Sequence, residues 1–245
     1  MKKTLIIPDC HHPAVDTSAW RLLLKVAVAI KPDTCVVLGD FGDFASVMSH
    51  AKSYKQRQLL LIDEVADVQS ALDDLDALSF TRKHFIAGNH EYRVDRYISE
   101  KCPELFGLVS IAEILELKKR GWTYTPYREY KQVGNVFYTH DTGTAGINAH
   151  RTSLGKFRQN VIIGHTHRFG FEAKGDLGGC PSVGAMLGWL GDPKEAAGYM
   201  HAVNAKTDWT HGFGVAYERE DGVNYIHPIV ILPDYSCCVE GKLYR

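Results

Sequence analysis

The sequence predicts an α/β protein in which two mixed β-sheets pack face to face as a sandwich flanked by helices. Two observations carry this expectation. Strand and helix patterns alternate as far as residue 119, and a strand-rich half follows from Gly121, an order that suits packed layers. Five short runs of β-branched and aromatic residues each stop at Asp, Asn or His, and buried strands read as such runs. A chain of 245 residues can bury a substantial core, and residues 1–245 are read as a single domain.

The elements follow in order. Leu5-Ile6-Ile7-Pro8 reads as a strand and ends at Asp9-Cys10-His11. Asp16-Thr17-Ser18 offers N-cap residues to an apolar helix over 19–30, which Lys31-Pro32-Asp33 ends. A second strand, 35–39, stops at Asp40-Phe41-Gly42-Asp43, completing a βαβ unit for which parallel pairing and a right-handed crossover are the rule. Between 58 and 78, Leu61, Val65, Val68, Leu72 and Leu75 recur at helical spacing with acidic residues opposite. A strand over 82–87 runs into Asn89-His90-Glu91, and helices are expected around 91–101 and 110–119. Beyond Gly121 the strands are 122–126, 133–139, 160–164, 168–174, 180–186, 213–218 and 223–231, with one helix near 145–157. Two of these runs deliver His140 and then His165-Thr166-His167. The Gly-rich stretch 175–214, with Trp189 and Trp209, is long for a loop and reads as a lid or substrate wall.

Composition narrows the function. Hydrophobic residues make up 45% and charged residues 23%, ordinary for a globular chain. A net charge of −1 argues against a broad basic face tracking extended nucleic acid. Six cysteines form no CxxC pair, so reduced thiols are expected, with Cys10 and Cys35 in core strands. The apolar run after Met1-Lys2-Lys3 stops at Pro8-Asp9, too short for a signal or membrane segment. No membrane partner and a cytoplasmic location are therefore expected.

Ligands of α/β folds gather where strands end. Five strand ends carrying Asp, His and Asn form the pattern of a hydrolytic metal centre. Carboxylate, imidazole and amide donors without thiolate suit Mn²⁺, Fe²⁺ or Zn²⁺. Two such ions clamp the attacking and leaving oxygens of a phosphoryl displacement and make hydroxide from bound water.

The ordered set Asp9-Cys10-His11, Gly39 to Asp43, Gly88 to Glu91, His140 and Gly164 to His167 resembles the calcineurin-like metallophosphoesterase superfamily. The resemblance implies that Asp9, His11, Asp40 and His167 hold one metal. It gives Asp40, Asn89, His140 and His165 to a second, with Asp40 bridging. Two divalent ions are implied, Mn²⁺ first, with Fe²⁺, Zn²⁺, Co²⁺ and Ni²⁺ as alternatives. His90 becomes the acid that protonates the leaving oxygen or stabilises phosphoryl charge, Asp43 its orienting carboxylate, and Glu91 their support. The chain departs from the pattern at Thr139, where a Gly often precedes the lone His. It departs again at Phe44, where the Ser/Thr protein phosphatases carry a phosphate-binding Arg, which disfavours that activity.

Arg93, three residues beyond His90 on a helix, suits a substrate phosphate, although a solvated helix face explains it equally well. His12 is a second substrate-contact candidate. His50, His84, His150, His201, His211 and His227 match no motif and are read as surface or hydrogen-bonded residues, and Arg151, Lys156 and Arg158 as helix surface. The leading function is a phosphomonoesterase on small phosphate esters such as nucleoside or deoxynucleoside 5′-monophosphates, by attack of metal-bound hydroxide with His90 as acid. A phosphodiesterase or nuclease is the second reading, and a non-catalytic scaffold the third.

Overall fold

A computed structural model describes residues 1–175, 177–196 and 208–245. Strand β1 (Lys2–Ile7) passes through helix α1 (Thr17–Ile30) to β2 (Thr34–Val37), and α2 (Leu61–Asp76) leads to β3 (Arg82–Ile86). Helix α3 (Asn89–Lys101) and the short α4 (Ile111–Ile114) then lead to β4 (Trp122–Thr125). These four strands are parallel neighbours in chain order. Next come β5 (Lys131–Val133), β6 (Val136–Thr139), α5 (Ala149–Phe157), β7 (Asn160–Ile163), β8 (Phe169–Lys174) and β9 (Ser182–Leu187). They build a second sheet ordered β5-β6-β7-β9-β8. After α6 (Pro193–Ala196), β10 (Gly212–Glu218) and β11 (Asn224–Val230) return to extend the first sheet as β11-β10-β1-β2-β3-β4. A hairpin of β12 (Cys237–Val239) and β13 (Lys242–Tyr244) closes the described chain.

Alternation along the strands makes the layers. Ile6, Val36 and Ile86 face Tyr138, Ile162 and Leu187 of the second sheet in one buried cluster. Their neighbours Leu5, Ile7, Val37 and Phe85 pack instead with Leu23 and Val26 of α1, Leu72 of α2 and Val94 of α3. On the far side Val161, Ile163 and Met186 pack against Ala149 and Leu154 of α5. The order is helix, sheet, sheet, helix, as the sequence predicts. Strands buried on both faces read as unbroken apolar runs, which is why β1, β2, β3 and β7 are plain in the sequence. Helix α1 starts where Asp16 accepts from the amides of Ser18 and Ala19 at 2.9 and 3.1 Å, and it stops at Lys31, with φ +48°.

Four details differ from expectation. The single strand over 133–139 is a hairpin, because Gly134, at φ +58°, turns the chain between β5 and β6. The helix over 110–119 ends after Ile114, where Glu116 adopts φ +53°. The β12–β13 hairpin was not foreseen: its strands are three residues long and its turn is Glu240-Gly241, both at positive φ. Within 175–214 the described residues are not one loop, since β9 and α6 lie there. Among the described residues no helix is long and apolar enough to cross a membrane.

Phe85 is fully buried, 5.9 Å from the Phe41 ring and 6.3 Å from Trp122. Phe85→Ala is expected to lower unfolding stability by about 3–5 kcal/mol, measured by urea denaturation.

Candidate metal centre

Strand register brings the motif residues together. Ile7 lies opposite Val37, and Val37 opposite Phe85, so the segments bearing Asp9, Asp40 and Asn89 leave one sheet edge. In the second sheet Thr139 lies opposite Ile163, and His140 and His165 leave side by side. Two loops are then locked by one side chain. The buried Glu91 carboxylate accepts the backbone amides of Asp40 (2.9 Å), Gly42 (3.0 Å) and Gly88 (2.7 Å). Burial, then the Asp40 charge, pushes Glu91 up to about 7 against the pull of the Gly42 and Gly88 amides. The loops meet so closely that a Cβ on Gly39, at φ +95°, would stand 2.6 Å from the Gly88 nitrogen and 2.7 Å from His140 Nδ1.

The ligand-type residues form adjoining groups. His167 Nε2 lies 3.2 Å from Asp9 Oδ2 and 2.9 Å from His11 Nε2. Asp40 Oδ2 lies 3.3 Å from His140 Nε2, and Asn89 Oδ1 lies 3.0 Å from His140 Nε2 and 2.9 Å from His165 Nδ1. Asp40 belongs to two groups of donors, one with His140 and His165 and one with His11 and His90. All seven ligand-type residues are thus brought to one place.

The chemistry of these donors fits a cation. His140 Nδ1 faces the Leu38 carbonyl at 2.9 Å, which leaves Nε2 as a lone pair among the oxygens of Asp40 and Asn89. Asp9 Oδ2 is buried, and His167 Nε2, 3.2 Å away, lies outside hydrogen-bond geometry for it. Lone pairs converging on lone pairs are costly unless a proton or a cation lies between them. Protons supply part of this: burial opposes it, but the Asp40 charge raises His140 to about 10. Burial would likewise raise Asp40, yet His140 and His90 hold it well below the usual carboxylate range. Four of these residues, His11, Asp40, His165 and His167, have φ between +47° and +69°, the left-handed region that is uncommon for non-glycine residues and is found among site residues as well as in caps and turns.

His90 stands beside the groups. Its Nδ1 lies 2.9 Å from both Asp43 Oδ1 and the Asp43 carbonyl, and its Nε2 is 3.6 Å from Asp40 Oδ2. Asp43 also meets His11 Nδ1 at 3.3 Å. Arg93 donates to the Asp43 carbonyl at 2.9 Å and contacts His90 Nε2 at 2.8 Å. It is therefore at the site rather than on a solvated face. Phe44, by contrast, is fully buried. His12 does not reach the groove: its ring packs on Trp20 and Phe41 at 5.0 and 4.9 Å, and burial lowers it to about 3. That corrects its reading as a substrate contact; adjacency to His11 placed it in the fold's core.

The stretch read in the sequence as a lid or substrate wall supplies two indoles, whereas Arg168 had no sequence signal. The His167 ring stacks on Trp189 at 4.9 Å and meets Trp209 edge-on at 4.2 Å, so the Gly/Trp-rich stretch contributes a wall of the groove. Arg168 borders the groove, held by the Asp208 carboxylate at 3.0 Å and the Ala145 carbonyl at 3.2 Å. His211 Nε2 meets the Gly191 carbonyl at 2.8 Å, while His84 and His150 are buried away from the donor groups. His201 lies outside the described residues.

Gly88 faces the Asp40 carboxylate so closely that a Cβ would overlap it. Gly88→Ala is expected to displace Asp40 and to lower the manganese retained after gel filtration, read by elemental analysis, together with the melting temperature.

The chain is similar to several known proteins. The gene 54 protein of Mycobacterium phage D29 is 25% identical over 252 residues, covering 94% of this chain and 93% of that protein. The gene 54 protein of Mycobacterium phage L5 is 23% identical over 266 residues, covering 100% and 99%. Among solved structures, the E. coli phosphoesterase YfcE aligns with a TM-score of 0.48 at 14% identity, over 97% of both chains. An archaeal phosphodiesterase aligns with a TM-score of 0.46 at 14% identity, over 93% of this chain and 99% of that one. The model of the calcineurin-like phosphoesterase family matches residues 2–169, the span that holds every motif residue of the groove, and the chain belongs to that family.

Proposed function

We propose that this chain is a phosphohydrolase with two divalent ions, Mn²⁺ foremost, acting on small phosphomonoesters such as nucleoside and deoxynucleoside 5′-monophosphates. The observation that carries the reading is two adjoining donor groups, Asp9 with His11 and His167 and Asp40 with His140 and His165, with a carboxylate-backed imidazole alongside. Asp9, His11, Asp40 and His167 would hold one ion, and Asp40, Asn89, His140 and His165 the other. When bound, such ions polarise phosphoryl oxygens and acidify a water molecule.

The chain's own groups supply the remainder. Asp43 fixes the His90 ring through Nδ1; Nε2, which accepts from Arg93 here, is the nitrogen that takes up a proton and then passes it to the leaving oxygen. Arg93 uses two of its five N–H groups on Asp43 and His90; the others remain for a phosphoryl oxygen. That cation replaces the one that Phe44, locked in the core, cannot provide. The near-neutral chain, of net charge −1, favours a small substrate over a long polyanion. A diester is the second reading. A cleft of about 600 Å³ lined by Tyr127, Arg128, Lys156 and His165 gives room for a second organic group on the phosphorus.

The test is Mn²⁺-dependent phosphate release from nucleoside and deoxynucleoside monophosphates, with bis-p-nitrophenyl phosphate alongside. Phosphate release is expected, and EDTA abolishes it. His90→Ala is expected to lower kcat by roughly 10²–10⁴-fold with manganese content kept. Arg93→Gln is expected to lower kcat/KM by about tenfold or more, chiefly through KM. Turnover of the diester alone would replace the monoester reading, and no turnover of any ester by manganese-loaded protein would sink the hydrolase reading.

A further inference from the structure

His90 borders two spaces at once. One is the groove over the donor groups, which it shares with Asp40, Asn89, His165 and His167. The other is a cleft of about 400 Å³ between the 45–56 segment and α3, lined by Ala45, Met48, Ala51, Gln56 and Arg93. We propose that the leaving alcohol of the substrate occupies this cleft, with Met48 as the wall that sets its size. The inference deepens the proposed hydrolase function and rests on it.

The argument is geometric. The phosphoryl group would be drawn to the ions that the donors of the groove would hold. The ester oxygen that departs must lie within hydrogen-bond reach of His90 Nε2. Arg93, which donates to that nitrogen at 2.8 Å, lines the cleft, and the ester oxygen takes its place at Nε2. The organic group attached to that oxygen therefore leads into the cleft. The larger cleft beside Tyr127 borders His165 and not His90, so it cannot take the group that His90 protonates. In the step, the bond from phosphorus to the ester oxygen breaks and that oxygen takes the His90 proton. The oxygen of a water molecule forms the new bond to phosphorus, and a proton of that water restores the imidazole. The products are the alcohol and inorganic phosphate.

The lining names the class of alcohol. Ala45, Met48 and Ala51 offer an apolar surface, and methionine adapts its shape to flat or irregular bodies. Ser53, Gln56 and His50 add hydrogen-bonding groups at the rim. A flat, partly polar body such as a nucleoside meets both demands, and a short polyol meets only the second.

Two measurements test this. In protein labelled with ¹³C at its methionine methyls, millimolar thymidine is expected to shift the Met48 signal and leave Met186, buried beneath α5, unmoved. Met48→Trp, which fills the cleft, is expected to lower the ratio of kcat/KM for thymidine 5′-monophosphate over glycerol 2-phosphate by about tenfold or more. An unmoved Met48 signal, or an unchanged ratio in folded Met48→Trp protein, overturns the placement while the hydrolase reading stands. Failure of the manganese-loaded wild type to hydrolyse either ester overturns both.

Discussion

The architecture of the groove depends on one buried carboxylate. Glu91 has no exposed surface, and it gathers three backbone amides from two loops that follow different strands. Charge-assisted bonds of this kind are stronger than neutral ones, and leaving such amides buried and unpaired would be costly. The same residue starts α3, since one of those amides belongs to Gly88 at its N-terminus. Asp40, Asn89 and His90 are thereby set relative to one another before any ion or substrate takes part. The glycines at 39 and 88 are what allow the two loops to come close enough for that carboxylate to reach both.

A second layer of order lies in the partners behind each imidazole. His140 is turned by the Leu38 carbonyl, and His11 and His90 by the shared Asp43 carboxylate. His167 is braced by two indoles instead. Burial would raise Asp43, but its bonds to His11 and His90 keep it far below the usual carboxylate range. It is therefore an anion between two histidines, and a change there reaches the donor groups and the candidate acid together.

Much of this was legible in the sequence, and the reasons are physical. Strands buried on both faces leave unbroken apolar runs, so β1, β2, β3 and β7 could be located, and the residue after each run marked the site. Asp43 beside His90 is what the family resemblance implies, and the two side chains lie 2.9 Å apart. What stayed hidden depends on contacts distant in the chain. The Asp-x-His spacing singles out His11 as the ligand, but nothing local shows that His12 packs on Trp20. Arg168 reaches the groove only because β9 and β10 return beside β7 and β1, and the same return brings in Trp189 and Trp209 of the stretch expected to wall it. The β12–β13 hairpin escaped notice because three-residue strands carry too little periodicity, although Cys237, Val239 and Tyr244 complete the core with α1.

The groove lies on the seam between the two sheets. Asp9, His11, Asp40 and Asn89 follow strands of the first sheet, and His140, His165 and His167 follow strands of the second. In the proposed assignment each ion draws donors from both sides of that seam. An ion held this way is a further cross-link between layers that are already joined there by apolar packing, by the His140 hydrogen bond to the Leu38 carbonyl and by the His165 amide donating to Asp9. Its affinity then adds to the cohesion of the sandwich, and the end of the molecule that carries the chemistry becomes the end whose integrity varies with free metal concentration.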